Sequence, residues 1–337
     1  MCPVSISYYW SFGFVLGMLM VVQIVTGFVV RMFFSARDAF YSVFYFTRET
    51  LTGESFRFLH ANGVSGIFLA MYLHVFRGVS FSRFFLLPVW FSGLILFLLL
   101  IIISFLGYSL PWAQIRFWAA TVITNLVTSI PEVGRKIVLV LWGDFSVRFL
   151  TLNRFYSLHF LLPFVVLALM VVHILLLHLI HTKGPIQVKG DSTVFFPGFW
   201  VKDIWLFLVM IFLVFFLRIY SPVWLMERDM FLESNPMSAP EHIVPEWYFL
   251  PFYAVLRGVP SKLGGVVAML GVFVCLILIS FSRVKSNPLT KTILSTIFFL
   301  WILLFWVGGL PVVFPFDTLG KVRVLLFFIC FIPALLY

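Results

Sequence analysis

Long apolar stretches alternating with short charged segments set the pattern of this chain. A helix rising 1.5 Å per residue needs about 20 predominantly apolar residues to cross a bilayer. Eight stretches free of Asp, Glu, Lys and Arg therefore predict eight transmembrane helices: 8–30, 58–76, 84–115, 155–182, 204–217, 263–282, 292–316 and 324–337. The fifth needs Arg218 to snorkel toward the interface, and the eighth runs to the last residue. No Lys or Arg occurs before Arg31, so the basic region of a cleaved signal peptide is missing and the first stretch is expected to be a retained helix. The expected fold class is thus an all-α membrane protein, with the first four spans in one domain (1–190) and the last four in a second (191–337).

Composition agrees, since 62% of the 337 residues are hydrophobic and mean hydropathy is +1.10, which excludes an ordinary soluble domain. Three cysteines, Cys2, Cys275 and Cys330, cannot build a disulfide framework or a Cys-ligated metal site. The net charge of +10 sits between apolar stretches and so belongs to membrane-surface loops, not to a nucleic-acid interface. Eight spans put both termini on one side. The loops there carry eight Lys and Arg in 38 residues, against 15 in about 118 opposite, which puts the termini on the negative face. Two opposite-side loops, Arg116–Arg154 and Arg218–Lys262, are long enough to suggest function.

Four of the seven histidines form two pairs inside apolar stretches: His60 with His74, and His159 with His173, each fourteen residues apart. At about 100° per residue that interval is four turns less about 40°, so each pair shares a helix face about 21 Å apart along the axis. The two helices are separated by one span and run parallel, which levels His60 with His159 and His74 with His173. Two imidazoles at each of two depths suit two six-coordinate haems stacked across the membrane, closed to oxygen and fit for electron transfer. Gly13 and Gly27 in the first span, and Gly93 and Gly107 in the third, repeat the fourteen-residue interval and offer bare backbone beside a flat macrocycle. Ordinary helix packing, for example a Gly13–Gly17 pair, explains them too. Arg57 and Arg77 stand three residues outside His60 and His74, where haem propionates would want cations and where plain membrane-flanking charge also occurs.

With GYSLPW at 107–112, FWAATVITNL at 117–126, RFYSLHF at 154–160, PEWYFLPFYAVLR at 245–257 and PSKLGG at 260–265, the sequence resembles the cytochrome b family over nearly its whole length. Cytochrome b is the haem-bearing core subunit of the quinol:cytochrome c oxidoreductase, or bc1 complex. The resemblance implies an N-terminal four-helix bundle holding two non-covalent b-type haems: a low-potential bL haem on His60 and His159 near the positive face, and a high-potential bH haem on His74 and His173. It also implies ubiquinol and ubiquinone as substrates and a mitochondrial inner-membrane location. A Rieske iron–sulfur protein, cytochrome c1 and accessory subunits in a homodimeric complex would be partners, since the chain has no CxxCH motif and no iron–sulfur ligand set. The b6 subfamily fits less well, because its fourth-span ligands lie one residue further apart and its last helices belong to another subunit.

Glu246 stands among Trp247, Tyr248 and Phe249, and an apolar pocket there would disfavour its charge and suit it to accept a quinol proton. The resemblance adds Tyr253 to this outer site, and Trp118 to Ile123 as its opposing wall. At the inner site it implies His178, Lys202 and Asp203, with the imidazole and the carboxylate as proton donors. Departures from the family pattern are present. LIHTKGP at 179–185 replaces the usual continuation and is about two residues short, so the family's inner-site asparagine contact is not expected, and His181 is either its replacement or, the favoured reading, a surface residue. Ala113 and Ala119 replace family glycines, and the Ala119 methyl would crowd strobilurin-type inhibitors. Two rivals remain open: a haem-free transporter relaying protons through its histidines and Asp203, and a two-haem electron shuttle without quinol chemistry.

Overall fold

The computed structural model describes residues 2–180, 191–220, 228–241, 243–281 and 288–336. Twelve α-helices occur among them: α1 Phe12–Arg31, α2 Ala39–Glu49, α3 Gly53–Ser80, α4 Leu87–Ser109, α5 Gln114–Leu126, α6 Gly134–Trp142, α7 Phe149–Ile180, α8 Gly198–Tyr220, α9 Leu250–Gly258, α10 Lys262–Leu278, α11 Pro288–Gly308 and α12 Phe316–Leu336. Seven of these (α1, α3, α4, α7, α8, α10 and α12) are long and apolar enough to cross a membrane, and α11 adds a shorter apolar stretch, Thr292–Gly308. Cys2–Pro3 pairs antiparallel with Ser192–Thr193.

Helix ends follow local chemistry. The third apolar stretch stops as a helix at Ser109, not at Ile115, because Leu110–Pro111–Trp112 makes a turn in which Trp112 takes φ 53°. The seventh stops at Gly308, where Gly308–Gly309 and then Pro311 end helical continuity. The eighth begins at Phe316 instead of Val324 and draws three charges into its first turns. Asp317 suits the positive end of the helix dipole, Lys321 Nζ lies 3.3 Å from its carboxylate, and the Arg323 guanidinium lies 4.6 Å from the Trp306 ring centre. Gly143, at φ 71°, closes α6 by donating to the Leu139 carbonyl at 2.8 Å. Ser261 caps α10 by accepting from the Gly264 amide at 2.8 Å.

The chain forms two compact units that interleave along the sequence: 1–81 with 91–113 and 152–233, and 82–90 with 114–151 and 234–337. In the first, α1, α3, most of α4 and α7 form the bundle, and α8 packs against α1 and α3. Its core includes Val15, Leu19, Phe68, Ala70 and Phe155, all nearly inaccessible. In the second unit, α9 is enclosed by α10, α11 and α12, with Phe252 stacked on Phe273 at 5.8 Å and edge-on to Trp301 at 5.1 Å.

Candidate functional site

Within the first unit, α3 brings His60 and His74, and α7 brings His159 and His173, to two matched levels. The His60 and His159 ring centres are 6.3 Å apart at 87°, and those of His74 and His173 are 6.5 Å apart at 62°. A metal held at about 2.05 Å from each imidazole nitrogen, with about 1.15 Å from nitrogen to ring centre, demands about 6.4 Å. Both pairs meet that demand. Among the described residues no three His, Cys, Asp or Glu gather as a metal cluster. Two imidazoles are too few for a bare ion and the right number for the axial positions of a macrocycle's iron.

What orients these rings is a set of hydrogen bonds to Nδ1. His60 Nδ1 lies 3.0 Å from Thr26 Oγ1, His159 Nδ1 lies 2.9 Å from the Ile103 carbonyl, and His173 Nδ1 lies 2.8 Å from Ser92 Oγ. An Nδ1–H donated to such an acceptor leaves Nε2 with its lone pair free for iron. Thr26 also lies 2.8 Å from the Val22 carbonyl, so its single proton has a backbone acceptor and its oxygen can receive from His60. His74 differs: its Nδ1 faces Arg77 Nη2 at 3.4 Å, a long approach to a cationic donor.

The four glycines each face one of these rings. A Cβ on Gly13 would stand 3.2 Å from His74 Cε1, one on Gly27 2.9 Å from His60 Cε1, and one on Gly93 3.2 Å from His173 Cε1; on Gly107 it would press harder still against His159. So α1 serves α3 and α4 serves α7, and bare backbone sits where a methyl would push an imidazole out of line. Gly13 and Gly17 do not form one packing seam, since a Cβ on Gly17 would meet Met170 of α7 at 3.4 Å. The sequence did carry a signal for two of the unpredicted Nδ1 partners: a hydroxyl residue immediately precedes a glycine in both Thr26–Gly27 and Ser92–Gly93. Nothing in the sequence marks the Ile103 carbonyl.

Arg57 Nη1 donates to Thr47 Oγ1 at 2.8 Å and lines a cavity of about 230 Å³ together with Arg48, Glu54 and Pro111. Arg77, at the other end of α3, holds its guanidinium 5.3 Å from the Trp10 ring centre. Nearby residues of the same unit make up the expected inner site. Asp203 is hydrogen-bonded to the Ser11 side chain, and Lys202 Nζ lies 5.2 Å from the Phe199 ring and 5.9 Å from the Tyr8 ring. His178 is exposed on the last turn of α7. His181 and the shortened loop after it lie outside the described residues.

The second unit holds the expected outer-site residues. Trp118 and Ala119 lie on α5, with Ala119 buried, and Tyr253 on α9. Glu246 stands just before the single turn Trp247–Phe249 that leads into α9, and its carbonyl accepts from the Phe249 amide at 2.8 Å. The Arg257 guanidinium lies 5.1 Å from the Tyr253 ring and donates to the Leu310 and Val307 carbonyls at 2.8 and 3.0 Å. Sequence reading missed the clamp at the start of α5. Gln114 receives from the Asn235 amide and donates to the Ser238 carbonyl, both at 2.6 Å, and Trp118 Nε1 donates to the Asn235 carbonyl at 3.2 Å.

A family model described as "Cytochrome b/b6/petB" matches residues 1–181, and one described as "Cytochrome b(C-terminal)/b6/petD" matches residues 233–328. The chain belongs to the cytochrome b family. A cytochrome b of Phytophthora megasperma is 42% identical over 337 residues, covering 96% of this chain and 88% of that one. Cytochrome b of Solanum tuberosum is 43% identical over 345 residues, covering 98% and 87%. A solved "Hyperthermophilic respiratory Complex III" matches with a TM-score of 0.91 at 26% identity, covering 99% of this chain and 92% of that chain. This cytochrome b is accordingly a multi-pass membrane protein of a respiratory, complex III-type quinol:cytochrome c reductase, and haem binding is a property of its family.

Proposed function

We propose that this chain oxidises quinol at an outer site and reduces quinone at an inner one, with two bis-histidine haems between them and protons released on one face and taken up on the other. The two imidazole pairs at 6.3 and 6.5 Å are the observation that carries this reading. Haem b, when bound, would supply one-electron carriage between the two faces. His60 with His159, and His74 with His173, would hold it as the low- and high-potential centres, with Arg57 and Arg77 as cations for its carboxylates. Thr26, Ser92 and the Ile103 carbonyl would keep the ligating rings in the tautomer that presents Nε2. Gly13, Gly27, Gly93 and Gly107 would keep those rings in line.

At the outer site Glu246 would accept a proton from the quinol, with Tyr253 as a second polar group and Trp118 and Ala119 as the opposing wall. At the inner site Asp203, held by Ser11, and His178 would deliver protons to quinone, with Lys202 contributing charge. Ubiquinone as the substrate, the mitochondrial inner membrane as the setting, and a Rieske protein and cytochrome c1 as partners in a homodimeric complex complete the proposal. Family membership and the lack of covalent-haem or iron–sulfur motifs in the chain support it.

Glu246→Gln in the intact complex tests the outer-site assignment. Quinol oxidation is expected to fall by about 10²- to 10⁴-fold, the usual worth of a positioned acid–base group, with the haem spectrum unchanged. A wild-type rate would remove Glu246 from the mechanism.

A further inference from the structure

Gln23 stands on α1 one turn inward of Gly27, between the His60/His159 level and the His74/His173 level. The residue is 7% exposed, yet its Nε2 has no hydrogen-bond partner. Buried amide donors are normally satisfied, so an unpartnered one asks for an explanation. The opposing helix makes room for it, because a Cβ on Gly63 of α3 would overlap Nε2. Gly63 lies three residues, about 4.5 Å of rise, inward of His60. The Gln23 backbone belongs to the same turn that orients the outer ring. Its carbonyl lies 3.2 Å from Thr26 Oγ1, and Thr26 Oγ1 lies 3.0 Å from His60 Nδ1.

We propose that Gln23 tunes the outer haem, its unpartnered Nε2–H serving as a hydrogen-bond donor beside the His60/His159 level and thereby raising that haem's midpoint potential. The inference rests on the two-haem reading above. A donor's positive end stabilises the reduced state, which carries one positive charge fewer, and hydrogen-bond donors around a redox centre are a known lever on its potential. The bare backbone of Gly63 leaves the amide its place against α3.

Gln23→Met keeps the side chain's bulk and removes the donor, whereas Gly63→Ala keeps the donor and displaces it. In the intact complex, a dithionite-reduced spectrum counts the haems of each variant and a redox titration follows each haem separately. At fixed ambient potential, either variant is expected to lower the outer haem's reduced-to-oxidised ratio about tenfold, equivalent to about 59 mV for one electron, while the inner haem moves less. Two haems loaded and an outer haem titrating as in wild type, in whichever of the variants assembles, overturns the proposal. A wild-type complex whose spectrum lacks b-type haem refutes the two-haem reading instead.

Discussion

At the scale of single residues, the fourteen-residue interval of His60–His74 and His159–His173 is what made the site legible, because a fixed helical period turns spacing into depth. The glycines show where such reasoning stops. Their interval was visible, but Gly107 and its three counterparts lie against imidazole edges, a contact across helices that spacing along one helix cannot reveal. Gly107→Val is therefore expected to drive His159 out of line and deplete the outer haem while the inner one is kept, read as loss of one of two b-type components in the reduced spectrum. Full occupancy of both would show that the bare backbone at 107 is not required. Ala119 is 4% exposed on α5, so its methyl is fixed in the wall proposed for the outer site. Ala119→Gly is expected to increase inhibition by strobilurin-type compounds with little change in quinol turnover, and an unchanged inhibition curve would count against that wall.

At the scale of elements, apolar runs locate helices well and their ends poorly. Leu110–Trp112 and Gly309–Pro315 are apolar and read as membrane, yet proline and paired glycine decide the backbone there. Phe316–Arg323 is charged and reads as loop, yet Asp317–Lys321 pairing and the Arg323–Trp306 contact let α12 begin eight residues early. The clamp formed by Gln114 was illegible for another reason: it joins residues more than a hundred positions apart through a neutral amide that no motif singles out. Arg257 joins α9 to the end of α11 by two charge-assisted hydrogen bonds, to the Leu310 carbonyl and to the Val307 carbonyl, which also receives the Leu310 amide. Arg257→Ala should cost about 2–4 kcal/mol, taking roughly 1.5–3 kcal/mol per charged hydrogen bond and discounting for partial exposure. A melting temperature of the purified complex within error of wild type would show that this link contributes nothing.

At the scale of the whole molecule, the two interleaved units divide the proposed sites between them. All four haem-ligand candidates fall in one unit, and Glu246, Tyr253, Trp118 and Ala119 fall in the other. Chain order hides this, since α5 and α6 lie in sequence between the two ligand-bearing helices but belong to the second unit, where α5 packs with α10 and with α6. The central claim is that two pairs of imidazoles each grip one iron. Replacing His60, His74, His159 and His173 singly by leucine, and recording low-temperature reduced spectra and electron paramagnetic resonance of the complex, tests it most directly. His60→Leu and His159→Leu should lose the same low-potential b-type signal, and His74→Leu and His173→Leu the same high-potential one. Both signals surviving with unaltered ligation in any of the four would contradict the account.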